Sequence, residues 1–236
     1  MAKKETLTLE ELLTLCDFDG KLYIQKKGAD YLDALSRVFS LNNRNDIPFT
    51  LDDIKSQPTY ESFSFAGKQD FQKICTLTIT PLTYDPTTQK RKNESIKAIN
   101  FVSKEAEQIF RASLGVAYLM TCTIDGIEYI IKIGQTRNTF KDRLGSYNCG
   151  CVTNWRTAST TNIKLKQSMV TTRIDVNLYL YDCQKTEVFE YHGIKSVPFA
   201  SAFSLAVEDI MIKEFIKQFG QKPLINIQAS ATTVEE

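Results

Sequence analysis

The chain has 236 residues, 42% of them hydrophobic and 24% charged, with a formal net charge of +1. That balance suits a globular protein with one or two cores, and it excludes a polycation that meets anions with its whole surface. A single histidine, His192, excludes metal cages of several imidazoles and nucleases built on paired histidines. No nucleophile-elbow motif accompanies it, so it reads as a loop residue rather than part of a triad.

Residues 1–108 read as a mixed α/β region. "TLEELLTL" opens with a capping box, Thr8 followed by Glu11, ahead of an apolar stripe. "DFDGK" sets Asp17, Asp19 and Lys21 together, but no acid on a preceding strand completes a nuclease centre there. "ADYLDALSRVFSL" has helical spacing, and "ICTLTIT" and "IKAINFVS" have strand character. Between those strands "YDPTTQKRKNES" reads as a polar loop carrying Lys90, Arg91 and Lys92. A boundary is expected near Ser103, where "SKEAEQIFRASL" starts a short helix that leads from the first region, 1–108, into the second, 109–236.

The second half begins with "GVAYLMTCT" and "IEYIIKIG", two strands joined at Asp125-Gly126, a strong hairpin signal. "TFKDRLGSYN" follows as a short helix. Ser, Thr and Asn then dominate a predicted loop from Cys149 to about Thr172. Cys149 and Cys151 are the only close pair among six cysteines, and C-x-C is not a common zinc clamp, so reduced thiols are expected. "IDVNLYLYD" alternates as a third strand, and "SAFSLAVEDIMIKEFIKQF" is the longest helix, stopped by Gly220 with Pro223 beyond.

That helix carries an anomaly. At about 100° per residue, Met211, Ile212, Phe215 and Phe219 share a face with Glu208, and Leu205 joins from the preceding turn. A carboxylate amid an apolar arc is costly unless it pairs with a cation or holds a metal. Asp209 and Glu214 point away, toward solvent. Arg143 and Tyr147 lie four residues apart on the short helix, on the face of Phe140 and Leu144. Tyr118 and Lys132 sit on the hairpin strands, where each also has a plain reading as a core aromatic or a snorkelling lysine. A simple two-residue turn pairs Tyr118 with Ile133 and turns Lys132 to the opposite face. A shared face therefore requires an odd loop or a bulge, such as Asp125-Gly126-Ile127.

These residues resemble the GIY-YIG nucleases. "VAY" (116–118) stands at the first signature triplet and "KIG" (132–134) at the second. "GQT", Arg143, the helix bearing Glu208 and "PLIN" ending at Asn226 follow in the family's order. Val116 replaces the first glycine, with Gly115 adjacent. Lys132 replaces the second tyrosine, as in some type II restriction endonucleases of the family, and Tyr147 stands where many members have His. The resemblance implies an α+β fold, a small three-stranded antiparallel sheet flanked by helices, with residues 1–108 as an appendage for DNA recognition or dimerisation.

It also implies metal-dependent hydrolysis of double-stranded DNA by a homodimeric, sequence-specific endonuclease. Glu208 would hold one Mg²⁺ or Mn²⁺, Arg143 would bridge the scissile phosphate, and Tyr118 would act as general base. A free phenol has a pKa of about 10, so that last role needs a neighbouring cation, which Lys132 supplies. Tyr147 would donate a hydrogen bond to phosphate or water, and Asn226 would fix the backbone around the site. From Lys132 to Arg173 the basic residues outnumber the lone acid, Asp142. Arg137, Lys141, Arg156, Lys164, Lys166 and Arg173 are the expected DNA contacts. A homing or repair nuclease, or a non-catalytic nucleic-acid binder, remains an alternative. No apolar stretch reaches the length of a membrane span and the N-terminus lacks a signal-peptide core, so a cytoplasmic protein with no membrane contact is expected.

Overall fold

A computed structural model describes residues 5–6, 49–80, 83–85, 88, 90–92, 94–148, 160–188, 190–197 and 199–226. The Thr8–Glu11 capping box, the "DFDGK" cluster, the predicted helix after it, Cys149, Cys151 and Arg156 lie outside these residues. The helices are α1 (Leu51–Lys55), α2 (Lys104–Ala112), α3 (Phe140–Tyr147), α4 (Thr160–Thr172) and α5 (Ser204–Phe219). The main strands are β1 (Gln72–Thr80), β2 (Ser95–Ile99), β3 (Val116–Ile124), β4 (Ile127–Thr136) and β5 (Val176–Asp182). They form one five-stranded sheet in the order β2-β1-β5-β3-β4. The fold is α+β as expected, but the expected three-stranded sheet is the β5-β3-β4 part of a larger one. β1 and β2 come from the segment assigned to the appendage and extend it. Among the described residues no helix is long and apolar enough to cross a membrane.

Contacts divide the chain into two interleaved units rather than at a single boundary. The first is Met1–Asp53, Leu77–Lys97 and Leu144–Asp175; the second is Ile54–Thr76, Ala98–Arg143 and Val176–Glu236.

The second unit is organised by the β3–β4 hairpin. β3 is fully buried from Val116 to Cys122, as a strand flanked on both sides must be. The turn is two residues long, with Ile124 opposite Ile127 and positive φ at both Asp125 (53°) and Gly126 (79°). Asp-Gly suits that mirror-image turn because its central residues must be left-handed. The register slips once, between Met120 and Thr121: Thr121 faces Ile130, but Met120 faces Lys132. Ile131 is therefore the extra residue of a bulge. The expected bulge exists, but it lies within β4 and not at the turn.

Cross-strand partners share a face. Beyond the bulge Tyr118, Met120, Lys132 and Gly134 point one way, while Ala117, Leu119 and Ile133 point the other. The second set belongs to a core cluster with Phe63, Phe71, Tyr179 and, from α5, Met211, Ile212 and Phe215. Each of those helix side chains stabilises the fold by about 1.5–3 kcal/mol on burial. The Phe63 ring meets Phe215 edge-on at 5.1 Å. Leu205 departs from expectation: it is 51% exposed, and the apolar face of α5 runs from the half-buried Val207 through Met211, Ile212 and Phe215. On the opposite face Phe140 of α3 meets Tyr118 edge-on at 5.1 Å, and Phe110 of α2 packs on Phe140 at 5.6 Å. Ser103 caps α2 by accepting a bond from Ala106 N.

The outer side of β4 is hydrogen-bonded along most of its length. Tyr60 N donates to Glu128 O and Ile130 N to Pro58 O, then Ile225 N donates to Ile131 O. Asn226 continues the pairing with its side chain: Oδ1 accepts from Ile133 N at 3.0 Å, and Nδ2 donates to Ile133 O at 2.7 Å. A carboxamide thus plays the part of a peptide group next to Lys132.

The first unit corrects the predicted loop. Residues 160–172 are helical, and the buried positions of α4 are Asn162, Leu165, Lys166, Ser168 and Met169. Positions 162, 165, 166 and 169 follow helical spacing, but half of that stripe is polar, so its periodicity does not show as hydrophobicity. Lys166 pairs with Glu94 at 3.6 Å, both side chains about 5% exposed. Asn162 Nδ2 donates to Ser146 O. Asn148 spans Ile96 of β2 as Asn226 spans Ile133, accepting from its N–H at 2.8 Å and donating to its carbonyl at 2.9 Å. The "YDPTTQKRKNES" segment also holds two short paired strands, Thr83–Asp85 and Lys90–Lys92, where a loop is expected.

Replacing Asn226 by Ala removes both bonds to Ile133. The urea unfolding midpoint should fall by an amount worth about 1–3 kcal/mol. An unchanged midpoint would mean that the carboxamide adds nothing to the sheet.

Candidate active site

Tyr118, Lys132 and Gly134 share one face of the hairpin because of the bulge, and the site is built there. The Tyr118 ring lies over Gly134: a Cβ at that glycine would come within 2.3 Å of the ring. Even alanine would displace the tyrosine or the strand. Glycine inside a strand often marks close approach of another group, and that is its role in "KIG". The triplet drew notice in the sequence as a signature; the space Gly134 leaves for Tyr118 is legible only with the register known.

Arg143 comes from the first turns of α3, where Thr139 accepts from Asp142 N and donates to its carboxylate at the helix start. Arg143 is half-buried, and its Nε donates to Tyr118 Oη at 3.4 Å. Glu208 comes from α5, which packs on the opposite face of the sheet. It is half-buried and one helical turn before the buried Ile212. Its neighbours Asp209 and Glu214 are salt-bridged on the helix surface to Lys213 (2.8 Å) and Lys217 (3.7 Å).

The charges act on one another. Burial first and then Arg143 push the Lys132 ammonium down, with Glu208 opposing both, to about 8. Burial raises the Glu208 carboxyl above its ordinary range, while Lys132 and then Arg143 draw it back down. Lys132, Arg143 and Glu208 therefore form one electrostatic group, and Arg143 joins it to Tyr118. Tyr147 follows Arg143 by one turn of α3, is fully buried, and belongs to the first unit. Asn226 holds the backbone of Ile133.

The expected DNA contacts divide. Arg137 and Lys141, close to Arg143 in sequence, are exposed in the second unit, and Arg173 is exposed in the first. Lys164 is half-buried. Lys166 is a correction: its ammonium is buried against Glu94, so reaching a phosphate would strand that carboxylate. The described cysteines, Cys75, Cys122 and Cys183, are buried free thiols. Burial raises Cys75 to about 12 and Cys183 to about 11, which leaves little thiolate for nucleophilic work. His192 sits exposed in the turn between Glu190–Tyr191 and Ile194–Lys195, apart from this chemistry.

Among the described residues no three His, Cys, Asp or Glu side chains gather into a metal cage. The donor offered is one carboxylate oxygen pair, half-exposed and beside two cations. That suits Mg²⁺, which keeps several waters and takes its other oxygens from substrate phosphate.

No family model matches the chain, and no curated protein does. Among solved structures, one described as restriction endonuclease HPY188I in complex with product DNA is similar over 79% of this chain and 96% of that one, at 26% identity and a TM-score of 0.47.

The depressed Lys132 ammonium has a consequence for stability. Below pH 8 both the folded and unfolded chains hold the proton, and the full cost of burying the cation is felt. Between about 8 and 10.5 the folded protein releases it first, so this contribution makes stability rise with pH. Lys132→Met should therefore stabilise the protein by about 1–3 kcal/mol at pH 7, and the advantage should fade by pH 10.5. Urea midpoints of parent and variant at both pH values check this; an advantage independent of pH would place the effect in packing instead.

Proposed function

We propose that the chain is a sequence-specific DNA endonuclease of restriction type, cutting double-stranded DNA as a homodimer with Mg²⁺ or Mn²⁺. The observation that carries this reading is the mutual electrostatic influence of Lys132, Arg143 and Glu208 beside Tyr118. Two cations gather where an anion must be received, and one hard carboxylate stands with them.

Phosphodiester hydrolysis needs an attacking water, a neutralised phosphate and a stabilised leaving oxygen. Arg143 uses the guanidinium N–H groups not directed at Tyr118 to hold a scissile phosphate oxygen. Tyr118, as the phenolate, receives the proton of the attacking water and becomes the neutral phenol; its oxygen accepts from Arg143 Nε, so a cation stands beside the phenolate before the transfer. Lys132, diagonal to Tyr118 on the same face, adds positive charge where water is excluded. Glu208 would hold the divalent ion, which would supply positive charge to the phosphate and the departing oxygen. Arg137 and Lys141 lie near Arg143 in sequence and extend the positive surface for the flanking backbone.

Unmethylated phage DNA digested with Mg²⁺ should give discrete fragments with uniform ends; rare or structure-dependent cuts would favour a homing or repair enzyme. Glu208→Gln keeps shape and helix but removes the anion. It should fold normally and bind DNA as tightly as the parent or more so, while cleavage falls by several orders of magnitude. Asp209→Asn, whose carboxylate is paired with Lys213, should cut normally. Near-parental cleavage by Glu208→Gln would remove Glu208 from the chemistry.

A further inference from the structure

The metal ligand proposed for α5 lies close to the helix end, and its position depends on how that end is held. Glu208 is the fifth residue of the helix, so its N–H is among the first in α5 with an intrahelical acceptor, the carbonyl of Ser204. Apolar packing fixes α5 at Met211, Ile212 and Phe215, and the half-buried Val207 packs against the same cluster. In the first turn, before Val207, the apolar side chain of Leu205 and that of Ala206 are exposed.

Ser204 is the exception. It is fully buried, and its Oγ donates to Gln135 Oε1 at 3.1 Å, with the Thr136 carbonyl at 3.5 Å. Gln135 is in β4, three residues after Lys132 and facing away from it, toward the side of the sheet that α5 covers. Ser204 and Glu208 are four residues apart and share a face of α5. One hydroxyl thus ties the first turn of α5 to the strand that carries Lys132.

We propose that Ser204 and Gln135 form a latch that fixes the first turn of α5 and so sets where the Glu208 carboxylate stands against Lys132 and Arg143. Ser204 is a positioning residue: it acts through Glu208. Losing the hydroxyl leaves the half-buried Gln135 oxygen without that partner and lets the first turn fray. Glu208 then loses the backbone bond that fixes it, whereas Met211, Ile212 and Phe215 hold the rest of the helix in place. The effect should appear as weaker metal binding and not as weaker DNA binding. This inference rests on the reading of Glu208 as the metal ligand.

The test uses the full-length chain with Ser204→Ala and Gln135→Ala, singly and together. Direct Mn²⁺ binding, followed by the spectroscopic signal of the free ion, should weaken about tenfold in each single variant. The Mg²⁺ concentration for half-maximal cleavage should rise to match. The double variant should be no worse than either single one, as expected for two groups that act as a unit. DNA affinity without metal and the unfolding midpoint should stay close to parental. Amide hydrogen exchange should accelerate at residues 207–209 but not at 211–215. Parental Mn²⁺ affinity and parental exchange in both single variants would overturn the latch while leaving the proposed function standing. A parent chain that neither binds Mn²⁺ nor cleaves would overturn both.

Discussion

One extra residue in β4 decides where this protein can do chemistry. Without the bulge at Ile131, the two-residue Asp-Gly turn would put Ile133 opposite Tyr118, and Lys132 would enter the apolar layer under α5. With it, the strand gains half a period beyond Met120, and the ammonium emerges on the face that carries Tyr118. The slip changes no residue near the turn, so Glu128 and Ile130 keep their places, and it also brings Gly134 under the Tyr118 ring. A single bulge thereby builds the tyrosine's seat and delivers the cation.

The charges that converge there are held at some expense to the fold. A lysine 6% exposed is a poor structural choice unless something compensates it, and Glu208 does so only in part from the neighbouring helix. The carboxylate in turn is raised by burial and lowered by the two cations. Removing any of the three shifts the protonation of the others, so single substitutions here will report on the group and not on one side chain. Such mutual dependence is common where a site has been shaped for an anionic substrate rather than for stability.

Much of this was legible in the sequence where local chemistry is strong. Asp125-Gly126 specified its turn, Ser103 and Gly220 marked helix ends, and the spacing of Met211, Ile212 and Phe215 with Glu208 exposed the odd carboxylate. The need for a bulge followed from parity alone, but its place did not, because Ile130 and Ile131 are chemically alike and either side chain could fill a core position. α4 was hidden for a different reason: its buried stripe includes Asn162 and Lys166, satisfied by Ser146 O and Glu94. Those partners lie far away in sequence, so Lys166 looked like a phosphate contact. β1 and β2 were recognised as strands, yet nothing local shows that they join β5 in the same sheet.

The two asparagine clamps have a further meaning for how copies of the chain can meet. β2 and β4 are the outer strands of the sheet, and an open outer strand is a template on which any extended peptide can build. At Ile133 and at Ile96 that template is filled by a carboxamide of the same chain, and along β4 the Pro58–Tyr60 and Ile225 backbones bond Glu128, Ile130 and Ile131. A second copy cannot extend the sheet across β4 without first expelling its own clamp. The hairpin that carries Tyr118 and Lys132 is thereby guarded against strand-by-strand aggregation along β4.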